Sequence, residues 1–287
     1  MTHCDIRPLK APFGAEVIGV DLKQSLDGGT KTAINRAFAD NGVLVFRGQS
    51  FATPDQFLAA ATNLGEPMPP VVATYRLPGY EAIEELTNTA TDTRTGEKTL
   101  LYRGGSWHTD HSNLACPPKA TTLYAIDLPP SGGGNTEFIN MMMAYEALDP
   151  ATRETLRGRR AFQAYISRRA PRKLLARTDA EKQGSDGVWQ PMVRRHPETG
   201  RAALYLNPMR CDAVEEMEQA EGDVLLDALY AHADQTQFQY SHGWSAGDML
   251  IWDNRSCLHQ ATPVRVASER RYMHRIMLRG DAPIMAG

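Results

Sequence analysis

The spacing of short β-forming runs limits this chain's fold more than any other feature. Runs rich in β-branched, aromatic and alternating apolar residues fall at 43–46, 121–126, 136–139, 203–206, 249–252 and 271–278. Each has the length of a strand rather than of a helix. Helical periodicity is confined to 30–39, 54–64, 142–157 and 222–233. A doubly wound βαβ chain would alternate its helices and strands more regularly. The pattern instead predicts an α+β fold with a β-sandwich or barrel at its centre and helices on its flanks. No internal repeat and no Ser/Gly linker divides the chain, so a single domain over residues 1–287 is expected.

Composition narrows the function classes. With 42% hydrophobic and 23% charged residues, the chain can build a sizeable core and an ordinary water-facing surface. A formal net charge of -3 gives no reason to expect nucleic acid as a partner. No apolar run approaches the roughly 18 residues that a membrane span requires, and the first residues lack the apolar centre of a signal peptide. Cys4, Cys116, Cys211 and Cys257 are scattered without a Cys-x-x-Cys pair, which fits reduced thiols and a cytoplasmic location. Two charged stretches stand out. Arg157, Arg159, Arg160, Arg168, Arg169, Arg172, Lys173 and Arg177 form a basic run, and Asp212, Glu215, Glu216, Glu218, Glu221 and Asp223 an acidic one. They can pair as a solvated surface, or the basic run can act as a cationic lid that draws anions toward a site.

The chemistry begins at His108-Thr109-Asp110. In an extended segment, residues i and i+2 share a face, so an imidazole and a carboxylate converge there. Far downstream, Gly247-Asp248 is a turn signal, 249–252 reads as a buried strand, Asp253-Asn254 as the turn that ends it, and His259 follows. Two histidines and one carboxylate make the facial triad that holds iron(II) and leaves open coordination positions. The alternative is a core histidine at 259 and a loop cap at Asp110. Next comes Arg270-Arg271-Tyr272-Met273-His274-Arg275. On a strand, Arg271 and Arg275 share one face, roughly 13 Å apart, while Arg270, Tyr272 and His274 share the other. An arginine turned into a barrel needs an anion, and its planar fork suits a carboxylate. Were both arginines on the surface, Tyr272 and His274 would be inside.

Several motifs together resemble the taurine dioxygenase family, which includes taurine, alkyl-sulfate and phenoxyalkanoate herbicide dioxygenases. In chain order they are Trp107-His108-Thr109-Asp110, Leu128-Pro129-Pro130-Ser131-Gly132-Gly133-Gly134-Asn135-Thr136, His196-Pro197-Glu198-Thr199-Gly200-Arg201, Gly247-Asp248 through Trp252-Asp253-Asn254-Arg255 to His259, and Arg270-Arg271 with Met273-His274-Arg275. The opening Phe13-Gly14-Ala15-Glu16-Val17-Ile18-Gly19-Val20-Asp21-Leu22 fits as well. The resemblance implies a jelly-roll (double-stranded β-helix) core and a dioxygenase that consumes 2-oxoglutarate and O₂ with Fe(II), releasing succinate and CO₂. It implies His108, Asp110 and His259 as metal ligands, Thr136 and Arg271 as the grip on 2-oxoglutarate, and Arg275 as the anchor of an anionic head on a small organic substrate; the alternative for Arg275 is a pair with a structural carboxylate. A homo-oligomer is compatible with it, and segments near 71–106 and 157–190 are placed as lids over the site.

The chain also departs from that family. Its glycine run carries one Gly more than the usual Gly-Gly-Asp-Thr, and the gap from His259 to Arg271 is about one residue longer. Residues 71–80 hold no histidine, and Gly104-Gly105-Ser106 stands where an asparagine is expected, so taurine is not the expected substrate. Two other readings stay open at this point: a metal-dependent hydrolase or isomerase on a similar barrel, and a non-catalytic jelly-roll binding protein.

Overall fold

A computed structural model describes residues 4–91, 98–100, 104–171 and 186–287. The chain opens with β1 (Asp5–Pro8), β2 (Ala15–Ile18), α1 (Gly28–Asn41), β3 (Val43–Phe46), α2 (Pro54–Leu64) and β4 (Pro67–Met68). Next come β5 (Glu84–Thr87), β6 (Thr89–Thr91), β7 (Lys98–Leu100), β8 (Ala120–Asp127), β9 (Thr136–Asn140), α3 (Met141–Glu146) and α4 (Pro150–Leu156). The middle holds β10 (Arg160–Ala164), β11 (Gly187–Pro191), β12 (Val193–Arg195), β13 (Ala202–Leu204), β14 (Cys211–Val214) and α5 (Gln219–Ala233). The chain ends through β15 (Gln239–His242), β16 (Met249–Asp253), β17 (Cys257–Ala261), β18 (Tyr272–Leu278) and β19 (Ile284–Met285). One expected helix, 142–157, is two: Pro150 has no N–H to continue α3, and Asp149 caps a new start by accepting from Thr152 N at 2.9 Å.

Two sheets make the jelly roll. The large one runs β1-β2-β3-β16-β8-β18-β4, with β5 also on β18, and the small one runs β15-β9-β17. Alternation along each large-sheet strand sorts its side chains into two cores. Val43, Val45, Leu123, Ala125, Leu250, Trp252 and Met273 point inward, meeting Phe138 and Cys257 of the small sheet. Leu44, Phe46, Tyr124, Met249, Ile251, Ile276 and Leu278 point outward into a layer made by α1 and α2. A strand buried on both faces reads as a continuous apolar run, which is why 43–46 and 249–252 show little alternation in sequence. A third core packs α3, α4 and α5 against the outer side of the small sheet.

The two charged stretches pair with each other. β14 lies beside β10, and Arg160 donates to Glu215 at 2.7 Å through Nε. Arg168 meets Asp212 and Asp223, and Arg169 meets Asp223 and reaches Asp227 at 2.5 Å. These arginines are neutralised at the surface and are not a free cationic lid. Arg172, Lys173 and Arg177 lie outside the described residues.

Two of the sequence motifs meet in a structural knot. His196, in the turn between β12 and β13, places Nε2 2.9 Å from Asp253 Oδ2 at the end of β16. Arg255 donates to the same carboxylate at 2.7 and 2.8 Å and to Glu198 at 3.0 Å. Asp253 is fully buried and Arg255 nearly so. Burial alone would raise the Asp253 carboxyl, but Arg255 and His196 hold it well below the usual range. Asp253→Ala should therefore cost about 3–5 kcal/mol by stranding a buried guanidinium. Arg201→Ala, which removes an exposed pair with Glu146, should cost less than about 1 kcal/mol. Urea unfolding midpoints of the two variants check this ranking.

Candidate metal centre and its cavity

β17 pairs with β9 so that His259 faces Phe138, and its other edge meets His108. His108 N donates to His259 O at 3.0 Å, and His259 N donates to His108 O at 2.7 Å. This exchange of backbone bonds sets the two side chains on one face, with ring centroids 4.2 Å apart. His259 sits mid-strand, not at the segment's start as its position after the Asp253-Asn254 turn suggested. Thr109 turns the opposite way, its hydroxyl donating to Asn254 O at 2.7 Å, and Asp110 returns to the histidine side in the following turn. Asp110 Oδ1 lies 3.9 Å from His108 Nε2, and Oδ2 lies 3.9 Å from His259 Nε2. These gaps exceed hydrogen-bonding range, yet two ligands about 2.1 Å from one ion can stand up to about 4.2 Å apart. Among the described residues, His108, Asp110 and His259 are the one cluster able to hold a metal ion.

The donor set is prepared for a cation. His108 Nδ1 is 2.7 Å from Ser106 O, and a carbonyl can only accept. The proton is therefore on Nδ1, and Nε2 presents its lone pair to the centre. Thr121 donates to Asp110 Oδ2 at 2.6 Å, and Asn254 donates to the Thr121 oxygen at 2.9 Å, which fixes the direction of that hydroxyl. Burial pushes the Asp110 carboxyl up, but Arg275, His259, His108 and His111 outweigh it and keep it ionised.

Beside the trio lies a cavity of about 440 Å³, shared by Thr136, Arg271 and Arg275. β18 has the expected parity: Arg271, Met273 and Arg275 face inward, while Tyr272 and His274 lie on the outer face and Arg270 is exposed near Asp127 at 3.5 Å. Arg271 Nε donates to Gly134 O at 2.9 Å, and its backbone N donates to Asn88 Oδ1 at 2.8 Å. No described carboxylate pairs with it, and burial alone pushes its guanidinium down to about 10. Gly134 has φ +67°, and a Cβ there would stand 2.7 Å from Arg271 Cδ. Only glycine leaves room for the arginine to pass. The extra glycine and the longer gap before Arg271 meet each other, since Gly133 bridges Val264. Thr136, at the start of β9, accepts from Trp244 Nε1 at 3.1 Å, so its own proton is available to a ligand.

Arg275 is placed differently from its expected setting. The sequence around it offers no acidic partner, yet Glu84 is its cross-strand neighbour on β5. Arg275 Nε donates to Glu84 Oε2 at 2.5 Å, Nη2 contacts the same oxygen, and Nη1 lies 3.4 Å from Asp110 Oδ1. The guanidinium is thus balanced by protein carboxylates. Sequence reasoning also missed Glu84, Asn88, His111, Thr121 and Trp244. Thr121 and Asn254 could have been found as polar residues inside or beside apolar strands; Glu84 has no local motif. His111 lines the cavity with φ +44°, an unusual backbone for a non-glycine residue and typical of functional sites. Segment 71–106 contributes Val72, Tyr75, Glu84, Leu86, Thr87, Asn88 and Gly104 to the wall, and the described part of 157–190 contributes Tyr165. Thr121→Val, nearly isosteric, should lower divalent-metal affinity by about 10- to 100-fold, while Thr121→Ser keeps it. Anaerobic Mn(II) or Fe(II) titration calorimetry measures the difference.

Comparison with known proteins agrees with this geometry. Residues 5–277 match the family model described as Taurine catabolism dioxygenase TauD, TfdA family. The chain is 33% identical to the alpha-ketoglutarate-dependent 2,4-dichlorophenoxyacetate dioxygenase of Cupriavidus pinatubonensis, covering 96% of this chain and 98% of that one. It is 34% identical to the (S)-phenoxypropionate/alpha-ketoglutarate-dioxygenase of Sphingobium herbicidovorans, over 94% and 93% of the two chains. The crystal structure of AAD-2 in complex with Mn(II) and N-oxalylglycine superposes with a TM-score of 0.81 at 31% identity, covering 99% of this chain and 100% of that one. With its jelly roll, its His-Asp-His trio and a family match over nearly its whole length, the chain belongs to the TauD/TfdA family of alpha-ketoglutarate-dependent dioxygenases.

Proposed function

We propose that the chain holds Fe(II) through His108, Asp110 and His259 and couples the oxidation of a small organic substrate to the conversion of 2-oxoglutarate and O₂ into succinate and CO₂. The observation that carries this reading is Arg271: a half-buried guanidinium without a carboxylate partner among the described residues, in the same cavity as the trio. A cation so placed calls for an anion from outside the chain. Gly134 O holds Nε and leaves the two terminal nitrogens for a bidentate carboxylate. Trp244 occupies the Thr136 oxygen and turns its proton toward the same ligand. Thr136 and Arg271 would thus grip the distal carboxylate of 2-oxoglutarate, with its other end at the metal.

When bound, the iron supplies the O₂ chemistry that decarboxylates 2-oxoglutarate and attacks a C–H bond of the prime substrate. The protein's part is to place groups and to exclude water. His108, with its proton fixed on Nδ1, and ionised Asp110 supply neutral and anionic donors, and part of the dication's charge is met by that one carboxylate. Trp252, Leu123 and Leu86 line the cavity with apolar surface that leaves a bare C–H bond nearest the centre. Hydroxylation beside a heteroatom would give an unstable product that falls apart, so net cleavage is an accessible outcome.

The relatives named above act on aryloxy acids, and an anionic substrate held by Arg275 was the sequence expectation. The Glu84 contact supports the alternative, that Arg275 pairs with a carboxylate of the chain. A hydrolase would have no use for a cation like Arg271 beside the metal, and the family membership does not favour it.

Asp110→Ala should abolish Fe(II)-dependent succinate release. Arg271→Ala should weaken 2-oxoglutarate binding by on the order of 2–5 kcal/mol through lost charge-assisted contacts. Arg270→Ala, at an exposed site over the Tyr272 ring, should change it little. Dissociation constants for 2-oxoglutarate and initial rates of succinate release test the ranking; the reverse order would remove Arg271 from the site.

A further inference from the structure

The Arg275–Glu84 contact is set by the backbone, not by a chance rotamer. β5 and β18 are antiparallel with Glu84 directly opposite Arg275, and the Glu84 backbone forms a β-bridge with that of Arg76 on its other side. Glu84 is 2% exposed, so its charge is screened by neighbours rather than by water. Arg275 gives it two N–H groups and turns a third toward Asp110 Oδ1. One guanidinium already faces two carboxylates. A carboxylate, sulfonate or sulfate entering this corner would be a third anion around a single cation. Displacing Glu84 from Arg275 instead would break a buried ion pair, which is costly.

The charge count does not call for an anion at this corner: with neutral imidazoles, Glu84 and Asp110 offset Arg271 and Arg275, a divalent cation offsets a dianionic co-substrate, and the one further described charge on the wall is Arg210. The cavity walls are largely apolar, with Val72, Leu86, Leu123 and Trp252 among them. Resting on the reading that this cavity is an oxygenase site, we infer that Glu84 is a specificity-determining residue. It neutralises Arg275 and closes that subsite to anionic head groups, so the prime substrate presents an uncharged end there.

Arg210 is the other arginine on the cavity wall; it donates to Tyr165 O at 2.5 Å and lies over the Tyr165 ring. It supplies a competing arm of the test. Enzyme loaded anaerobically with Fe(II) and 2-oxoglutarate is titrated calorimetrically with matched acid and amide pairs. The probes are aryloxyacetates against aryloxyacetamides and alkanesulfonates against alkanesulfonamides. Wild type should bind the uncharged member of a pair at least about tenfold tighter, a difference of about 1.4 kcal/mol. Glu84→Gln should shift the preference toward the acid by a similar factor. The double variant Glu84→Gln/Arg275→Gln should return it to the uncharged member, which a merely damaged fold would not do. Wild type preferring the acids, with a ratio that Glu84→Gln leaves unchanged, would overturn the inference. Loss of that acid binding in Arg210→Gln would place the anion site at Arg210 and overturn it equally. In either case wild-type succinate release dependent on Fe(II) and 2-oxoglutarate would survive, whereas its absence would defeat the oxygenase reading itself.

Discussion

The pleat of β18 decides where two positive charges go, and much of the site follows from it. Alternate residues of that strand face opposite sides of the large sheet, so placing Met273 in the barrel core also turns Arg271 and Arg275 inward. A one-residue slip would exchange them for Tyr272 and His274, which the outer layer instead receives beside Phe57. Two inward guanidiniums are tolerable only if each finds an anion. Arg275 finds Glu84 and Asp110 within the chain. Among the described residues Arg271 meets the Gly134 carbonyl and no carboxylate. The same strand therefore carries one cation balanced within the described fold and one that, in the function proposed here, meets a ligand.

The metal trio depends on a second backbone device. His108 and His259 come from segments far apart in sequence, and their mutual N–H to C=O exchange is what brings the imidazoles together. Asn254, just beyond the buried Asp253–Arg255–His196 cluster, then orients Thr121, and Thr121 orients Asp110. Rigidity of the knot at the end of β16 thus reaches the first ring of ligands through two hydrogen bonds. Stability and site geometry share these residues, and the motif surrounding Asp253 serves both.

Much of this was legible in the sequence, for reasons that differ by feature. Apolar runs at 43–46 and 249–252 marked strands buried on both faces, and the period-2 pattern of β18 gave the inward arginines. His-x-Asp and the distant histidine carried the metal trio because the ligand types are few and chemically distinctive. What escaped was set by tertiary pairing. Glu84 carries no motif, and only the β5–β18 register shows that it meets Arg275. Trp244 acts by orienting the Thr136 hydroxyl, a role that leaves no local pattern, while Thr121 and Asn254 show only as polar residues inside or beside apolar strands. The basic run 157–177 looked like a candidate lid because the partners of Arg160, Arg168 and Arg169, on or beside β14 and on α5, are distant in sequence. The 142–157 helix was overextended by reading through Pro150, whose missing N–H separates α3 from α4.

In the function proposed here, one cavity holds a divalent iron at the His-Asp-His trio and 2-oxoglutarate between that metal and Arg271. Anaerobic visible spectroscopy tests it most directly, because a metal-to-ligand charge-transfer band requires both groups in contact at one site. The band should develop with Fe(II) and 2-oxoglutarate together and with neither alone, saturating at one equivalent of each per chain. Absence of the band, with both shown bound by calorimetry, would place them at separate sites and contradict the account.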